Sequence, residues 1–125
     1  MMGRQVVHFE IIGKGPAVLR RYYGELFGWT FETGDASSDE VSEPGNYGFV
    51  DGATTGGING GIGGGHAHTA KVLFYVGVPD VEAALQDAER LGGSREFGPE
   101  GTPGQLVVGR FTDPEGNLIG VAGAQ

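Results

Sequence analysis

One unit of sequence is written twice in this chain, and that repetition restricts the fold more than any other feature. Sliding the chain over itself by 65 residues lays Val7 on Val72, Phe9 on Phe74, Ile11 on Val76, Leu26 on Leu91 and Gly28 on Gly93. A slide of 62 lays Phe49-Val50-Asp51 on Phe111-Thr112-Asp113, with a turn expected after each aspartate. Each copy reads as a strand, a helix and then about three strands. A unit of about 60 residues buries little core alone, so two copies must pack together.

The first strand runs through Val6 to Ile12 and alternates. Val7, Phe9 and Ile11 share one face, and His8 and Glu10 take the other. After the break at Gly13 to Pro16, Leu19, Tyr22, Tyr23, Leu26 and Phe27 recur at the spacing of an apolar helical stripe. Gly28 then stands at the C-terminal cap. In the second copy Val72 to Val78 is the strand, Asp80 the helix N-cap, and Val81, Ala84, Leu85 and Ala88 the stripe.

These patterns predict an α+β fold of two tandem βαβββ modules, about 5–62 and about 70–123 of one 1–125 domain. The modules are expected to form one curved mixed sheet with helices outside and a concave cavity. The helices would cover Phe9, Ile11, Phe74 and Val76, leaving His8, Glu10, Leu73 and Tyr75 to line the cavity. Seven glycines fall between Gly56 and Gly65, the start of which reads as a glycine-rich strand. His66 and His68 follow and read as a solvated linker. The acidic stretch Gly34 to Gly45 reads as a mobile loop between two strands.

Composition narrows the function. With sixteen acidic and eight basic residues the formal charge is -8, which disfavours nucleic acid and anionic membrane surfaces as partners. No cysteine is present, so disulfides, thiolate nucleophiles and cysteine metal sites are excluded. No apolar run reaches the length of a membrane span, and a cytoplasmic location is the default expectation. No Gly-x-Ser-x-Gly elbow and no phosphate-binding glycine motif occurs.

The segments Val7 to Ile11, Tyr22 to Trp29, Phe74 to Val76 with Val78 to Val81, and Phe111 to Asn117 together resemble the vicinal oxygen chelate superfamily, the glyoxalase, bleomycin-resistance and extradiol dioxygenase group. The nearest likeness is to its small bacterial members related to lactoylglutathione lyase. The resemblance covers Val7 to Val121. It implies paired modules, a homodimer, and a divalent metal held on the concave face by the first and last strands of both modules. His8 is the one family-type metal ligand that remains. Its counterpart is Leu73, Gly120 stands where metal-bearing relatives carry glutamate, and the glycine-rich strand offers only Asn59.

A catalytic metal keeps about three protein ligands. The expectation is therefore a protein that binds a small organic molecule without the full family metal site, a divalent metal entering only if Glu10, Asn59 or a partner chain completes a divergent one. His8 and Glu10 are the candidate catalytic pair, suited to acid-base work. Trp29, Tyr75 and Asn59 are candidate ligand contacts. The alternative is a non-catalytic protein that sequesters an antibiotic-type small molecule; a metal-dependent lyase or dioxygenase has the least support.

Overall fold

A computed structural model describes residues 3–102 and 104–124. The chain divides into two compact units. The first is His8–Val72, and the second is the chain from Leu73 onward together with the residues up to Val7.

The first unit contains most of β1 (Val6–Gly13), then α1 (Pro16–Phe27), β2 (Glu32–Gly34), β3 (Tyr47–Val50), the one-turn α2 (Gly52–Thr55) and β4 (Asn59–Gly64). Its strands lie in the order β2-β3-β4-β1. β1 and β4 run parallel, and the other two pairings are antiparallel. The second unit holds most of β5 (Lys71–Gly77), then α3 (Val81–Arg90), β6 (Ser94–Gly101), β7 (Val107–Thr112) and β8 (Leu118–Gly123), in the strand order β5-β8-β7-β6. Again one parallel pair, β5 with β8, is followed by two antiparallel ones. The predicted α+β class with two βαβββ modules is what the backbone builds.

Local chemistry explains the helix ends. Pro16 opens α1, where its fixed φ suits the first turn and its missing N–H costs nothing. Gly28 closes it at φ 73°, a left-handed conformation that glycine adopts without strain, and its N–H bonds to the Gly24 carbonyl. α3 begins at Asp80, whose carboxylate accepts from the Ala83 N–H at 3.0 Å.

The two helices differ in what they bury. Val81 and Leu85 of α3 are fully buried against Val107 and Val121. Gly109 makes the close approach possible, since a Cβ there would stand 2.7 Å from Leu85 Cδ1. α1 buries only Pro16 completely. The stripe expected to face the sheet is split: Leu19 and Tyr23 are partly covered, while Tyr22, Leu26 and Phe27 stay 58%, 55% and 56% exposed. Trp29 causes the split. It stacks between Tyr23 and Phe27 on the helix and Phe9 on β1, with centroids 5.0–5.8 Å apart, and so takes the ground that Leu26 and Phe27 would cover. The helices also do not cover the β5 face expected of them. Phe74 is 40% exposed, whereas Leu73 and Tyr75 are buried.

The segment read as a mobile loop is tied down. Ser38, Val41 and Ser42 are buried. Ser42 Oγ accepts from the Gly64 N–H at 3.0 Å, Asp35 accepts from the Gly45 N–H at 2.7 Å, and Glu43 accepts from the His66 N–H at 2.9 Å. Two of the acidic side chains that suggested a solvated loop, Asp35 and Glu43, instead cap backbone donors.

Candidate functional site

The glycine-rich strand β4 positions the polar residues of the first unit. Adjacent strand residues point to opposite faces, and β4 carries an aromatic ring on each. A Cβ at Gly60 would run into the Phe9 ring, and one at Gly61 into Tyr47. Gly63 continues the Tyr47 face, where a Cβ would come within 2.7 Å of that ring. Phe9 and Trp29 therefore lie on one face, and Tyr47 with His8 and Glu10 on the other.

Tyr47 joins the two candidate catalytic residues. Its hydroxyl donates to Glu10 Oε1 at 2.7 Å, and His8 Nε2 lies 2.8 Å from the same hydroxyl oxygen. Glu10 and Tyr47 are each 2% exposed, whereas His8 is only partly buried. Burial holds the His8 imidazole below its ordinary value of 6.5, and the Glu10 charge draws it part of the way back. The ring is thus kept neutral at physiological pH, the form that accepts a proton. Sequence reasoning missed Tyr47. The signal was the alternate glycines 61 and 63, which clear room for a ring on one face of β4.

The other expected contacts have partners of their own. Asn59 pairs with His8 in the strand register, but its Oδ1 accepts from the Gly52 N–H at 2.8 Å. Trp29 belongs to the aromatic group around Phe9 and is not brought to His8 and Glu10. Tyr75 belongs to a second polar group, in the second unit. Arg110, 1% exposed, donates from Nε to the Tyr75 hydroxyl at 3.1 Å, places its guanidinium 5.4 Å from the Phe97 centroid, and has Nη1 3.6 Å from Glu96. Arg110 also went unnoticed in the sequence, although a charge inside Val107-Val108-Gly109-Arg110-Phe111 marks a strand residue with a buried partner.

The donors present do not fit a catalytic divalent metal. His8 Nε2 and one Glu10 oxygen are both engaged by Tyr47, and Asn59 Oδ1 is held by Gly52. At Gly120 the space of a larger side chain is filled by the Tyr75 ring. Among the described residues no three His, Asp or Glu side chains stand together as a metal site.

A family model described as a glyoxalase-like domain matches residues 9–122. No curated protein matches the chain. Among solved structures, a hypothetical protein from Bacillus halodurans C-125 superposes with a TM-score of 0.69 at 13% identity, over 99% of this chain and 96% of that one. A Streptomyces coelicolor methylmalonyl-CoA epimerase variant in complex with 2-nitronate-propionyl-CoA gives 0.68 at 14% identity, over 97% and 94%. The Mn(II)-bound glyoxalase from Novosphingobium aromaticivorans gives 0.59 at 17% identity, covering 98% of this chain and 40% of that one. At these identities the likeness is one of fold.

Proposed function

The chain belongs to the glyoxalase-like domain family, within the vicinal oxygen chelate superfamily, and from that membership we propose that it binds a small organic molecule and moves a proton on it through His8, without the family's metal. The observation that carries this reading is the chain of hydrogen bonds from His8 through Tyr47 to Glu10. A desolvated neutral imidazole is a competent base, and an anion behind it stabilises the imidazolium formed when it accepts a proton. The two bonds hold the ring in one orientation, which proton transfer requires. Asn59, the register partner of His8 across β1 and β4, is a proposed ligand contact, as are Trp29 and Tyr75.

The substrate class in this reading is a carbon acid beside a carbonyl. Support comes from a fold neighbour, a methylmalonyl-CoA epimerase bound to methylmalonyl-CoA. The test is deuterium incorporation from heavy water into such compounds, beginning with methylmalonyl-CoA and simple α-hydroxy ketones, followed by NMR on chelator-treated protein. His8→Ala is expected to slow exchange by about a hundredfold. Equal exchange in wild type and His8→Ala would contradict the reading. A ligand bound independently of His8 and recovered with every C–H proton intact would favour sequestration. A homodimer is part of the proposal, because α1 leaves Val18, Tyr22, Leu26 and Phe27 more than half exposed. Sedimentation equilibrium tests it. Cytoplasmic residence is also proposed; among the described residues no helix is long and apolar enough to cross a membrane.

A further inference from the structure

α1 carries an apolar ridge that its own chain leaves open. Val18, Tyr22 and Leu26 stand at i, i+4 and i+8, one above the next along the helix, and all three are more than half exposed. Leu19 and Tyr23, on the adjoining side, are partly covered. The ridge therefore borders the packed side of α1 and faces water. The Tyr22 ring meets Tyr23 edge-on with centroids 5.1 Å apart, which holds it in place on the ridge before any partner arrives.

Two opposite charges flank the ridge. Arg21 and Glu25 follow at i+3 and i+7 from Val18, on the flank away from Leu19 and Tyr23, and both are exposed. Among the described residues neither side chain has an ion-pair or hydrogen-bond partner. Four residues apart on one helix, with the cation first, they stand in the weaker order for pairing with each other. Glu25 also lies in the last turn of α1, where the free carbonyls disfavour an anion. A cation from outside the chain answers both features.

We infer that this face of α1 docks on the same face of a second copy, the two helices antiparallel about a two-fold axis at Tyr22. Val18 of one copy then packs on the partner's Leu26, and Tyr22 on the partner's Tyr22. Antiparallel helices bring like flanks together, so Arg21 meets the partner's Glu25 and Glu25 the partner's Arg21. Parallel helices would set both charges against the flank of Leu19 and Tyr23, which carries none. The inference rests on the homodimer of the proposed function and deepens it by naming the surface. Two copies at -8 repel each other, so the ridge supplies the attraction and the ion pairs set the register. α1 is about 18 Å long, and a contact confined to it falls short of the roughly 800 Å² per partner of a standard interface. The dimer is accordingly weak, with a dissociation constant between about 10 μM and about 1 mM.

Cysteine pairing reads the axis. The chain has no cysteine, so Tyr22→Cys places a single thiol per chain beside the two-fold. Under a copper–phenanthroline oxidant it is expected to form a disulfide-linked dimer at least about tenfold faster than Ala53→Cys, an exposed position on α2. Equal rates would overturn the placement of the axis.

The deciding experiment is sedimentation equilibrium of the full chain, from about 10 μM to about 1 mM. The samples are wild type, Arg21→Glu, Glu25→Arg, the double variant, and an equimolar mixture of the two single variants. Both positions are exposed and the new residues favour helix, so the fold is expected to hold, which melting temperatures check. Each single variant sets like charges together and should self-associate about tenfold more weakly than wild type. The double variant should recover to within about fivefold of wild type, and the mixture should associate as tightly as wild type, an all-acidic flank meeting an all-basic one. Weakened single variants with no recovery in either the double variant or the mixture would overturn the antiparallel pairing. Single variants that dimerise as wild type does would overturn the inference and leave the homodimer standing on another surface. A wild type monomeric throughout would overturn both.

Discussion

In each unit a buried tyrosine hydroxyl meets a buried charge, negative in the first and positive in the second. In the first unit one row across the strands holds Glu10, Gly61 and Phe49; in the second the equivalent row holds Tyr75, Gly120 and Arg110. Both rows have a glycine on their last strand, and both glycines are covered by a tyrosine ring, Tyr47 over Gly61 and Tyr75 over Gly120. Both tyrosine hydroxyls bond to a buried charge, Glu10 in one unit and Arg110 in the other. Each unit therefore clears room for a ring over its last strand, while the ring and the charge come from different strands: β3 and β1 in the first unit, β5 and β7 in the second. Only the first unit adds a histidine to the pair, and the proposed proton transfer rests on that addition.

The helices diverge in parallel. α3 seals its unit with Val81 and Leu85, whereas α1 covers its sheet through Trp29 and leaves an apolar row outside. Leu85→Ala is accordingly expected to cost about 3 kcal/mol. The equivalent trim on the other helix, Leu26→Ala, should stay within about 1 kcal/mol because that side chain is already more than half exposed. Urea denaturation of both variants measures the contrast, and equal losses would erase it.

Next in size is the glycine under each ring. Gly120→Ala places a methyl group against Tyr75, and Gly61→Ala places one against Tyr47. Each should destabilise by about 1–3 kcal/mol through overpacking. Gly57→Ala is the control: the new Cβ would sit 3.5 Å from Thr55 Oγ1, an ordinary contact, and the melting temperature should barely move.

A pH effect distinguishes the first unit from the second. Burial lowers the folded-state pKa of His8 below 6.5, so between that value and 6.5 the unfolded chain binds more protons than the folded one. The stability of wild type is then fullest above 6.5 and falls as pH drops through 6.5 toward the folded value. His8→Gln should show a shallower fall over that window in urea titrations at stepped pH. An identical slope would mean that the ring is solvated in the folded state.

The smallest effect belongs to the surface of the second unit. Arg95 bridges Glu82 at 2.8 Å and Glu89 at 3.2 Å, and its hydrogen bonds hold the Glu82 carboxyl down to about 2. Both carboxylates are exposed and Arg95 is partly so, so Arg95→Ala should shift the melting temperature only slightly, and less in high salt.

Much of this architecture was legible in the sequence. The repeat gave both modules, Asp80 marked the start of α3, and strand alternation put His8 and Glu10 on one face. The site was only half legible. Tyr47 comes from a short strand, four residues with two neighbouring glycines, where no periodicity announces which face is inward. The slide of 62 paired Phe49 with Phe111, yet the strand rows pair Phe49 with Arg110. A shift of one residue exchanges the faces of a strand, and so hid the arginine's position. The α1 stripe misled for a different reason: helical spacing shows which residues share a side, and Trp29, outside the helix, decides how much of that side is covered.

The most direct measurement is the metal content of the purified protein after exposure to manganese, iron, nickel and zinc, for wild type beside His8→Ala. With His8 Nε2 committed to Tyr47, the expected result is no stoichiometric metal that depends on His8. One metal ion per chain, lost in His8→Ala, would show that His8 is a ligand rather than the end of a hydrogen-bonded relay, and would contradict the proposed chemistry.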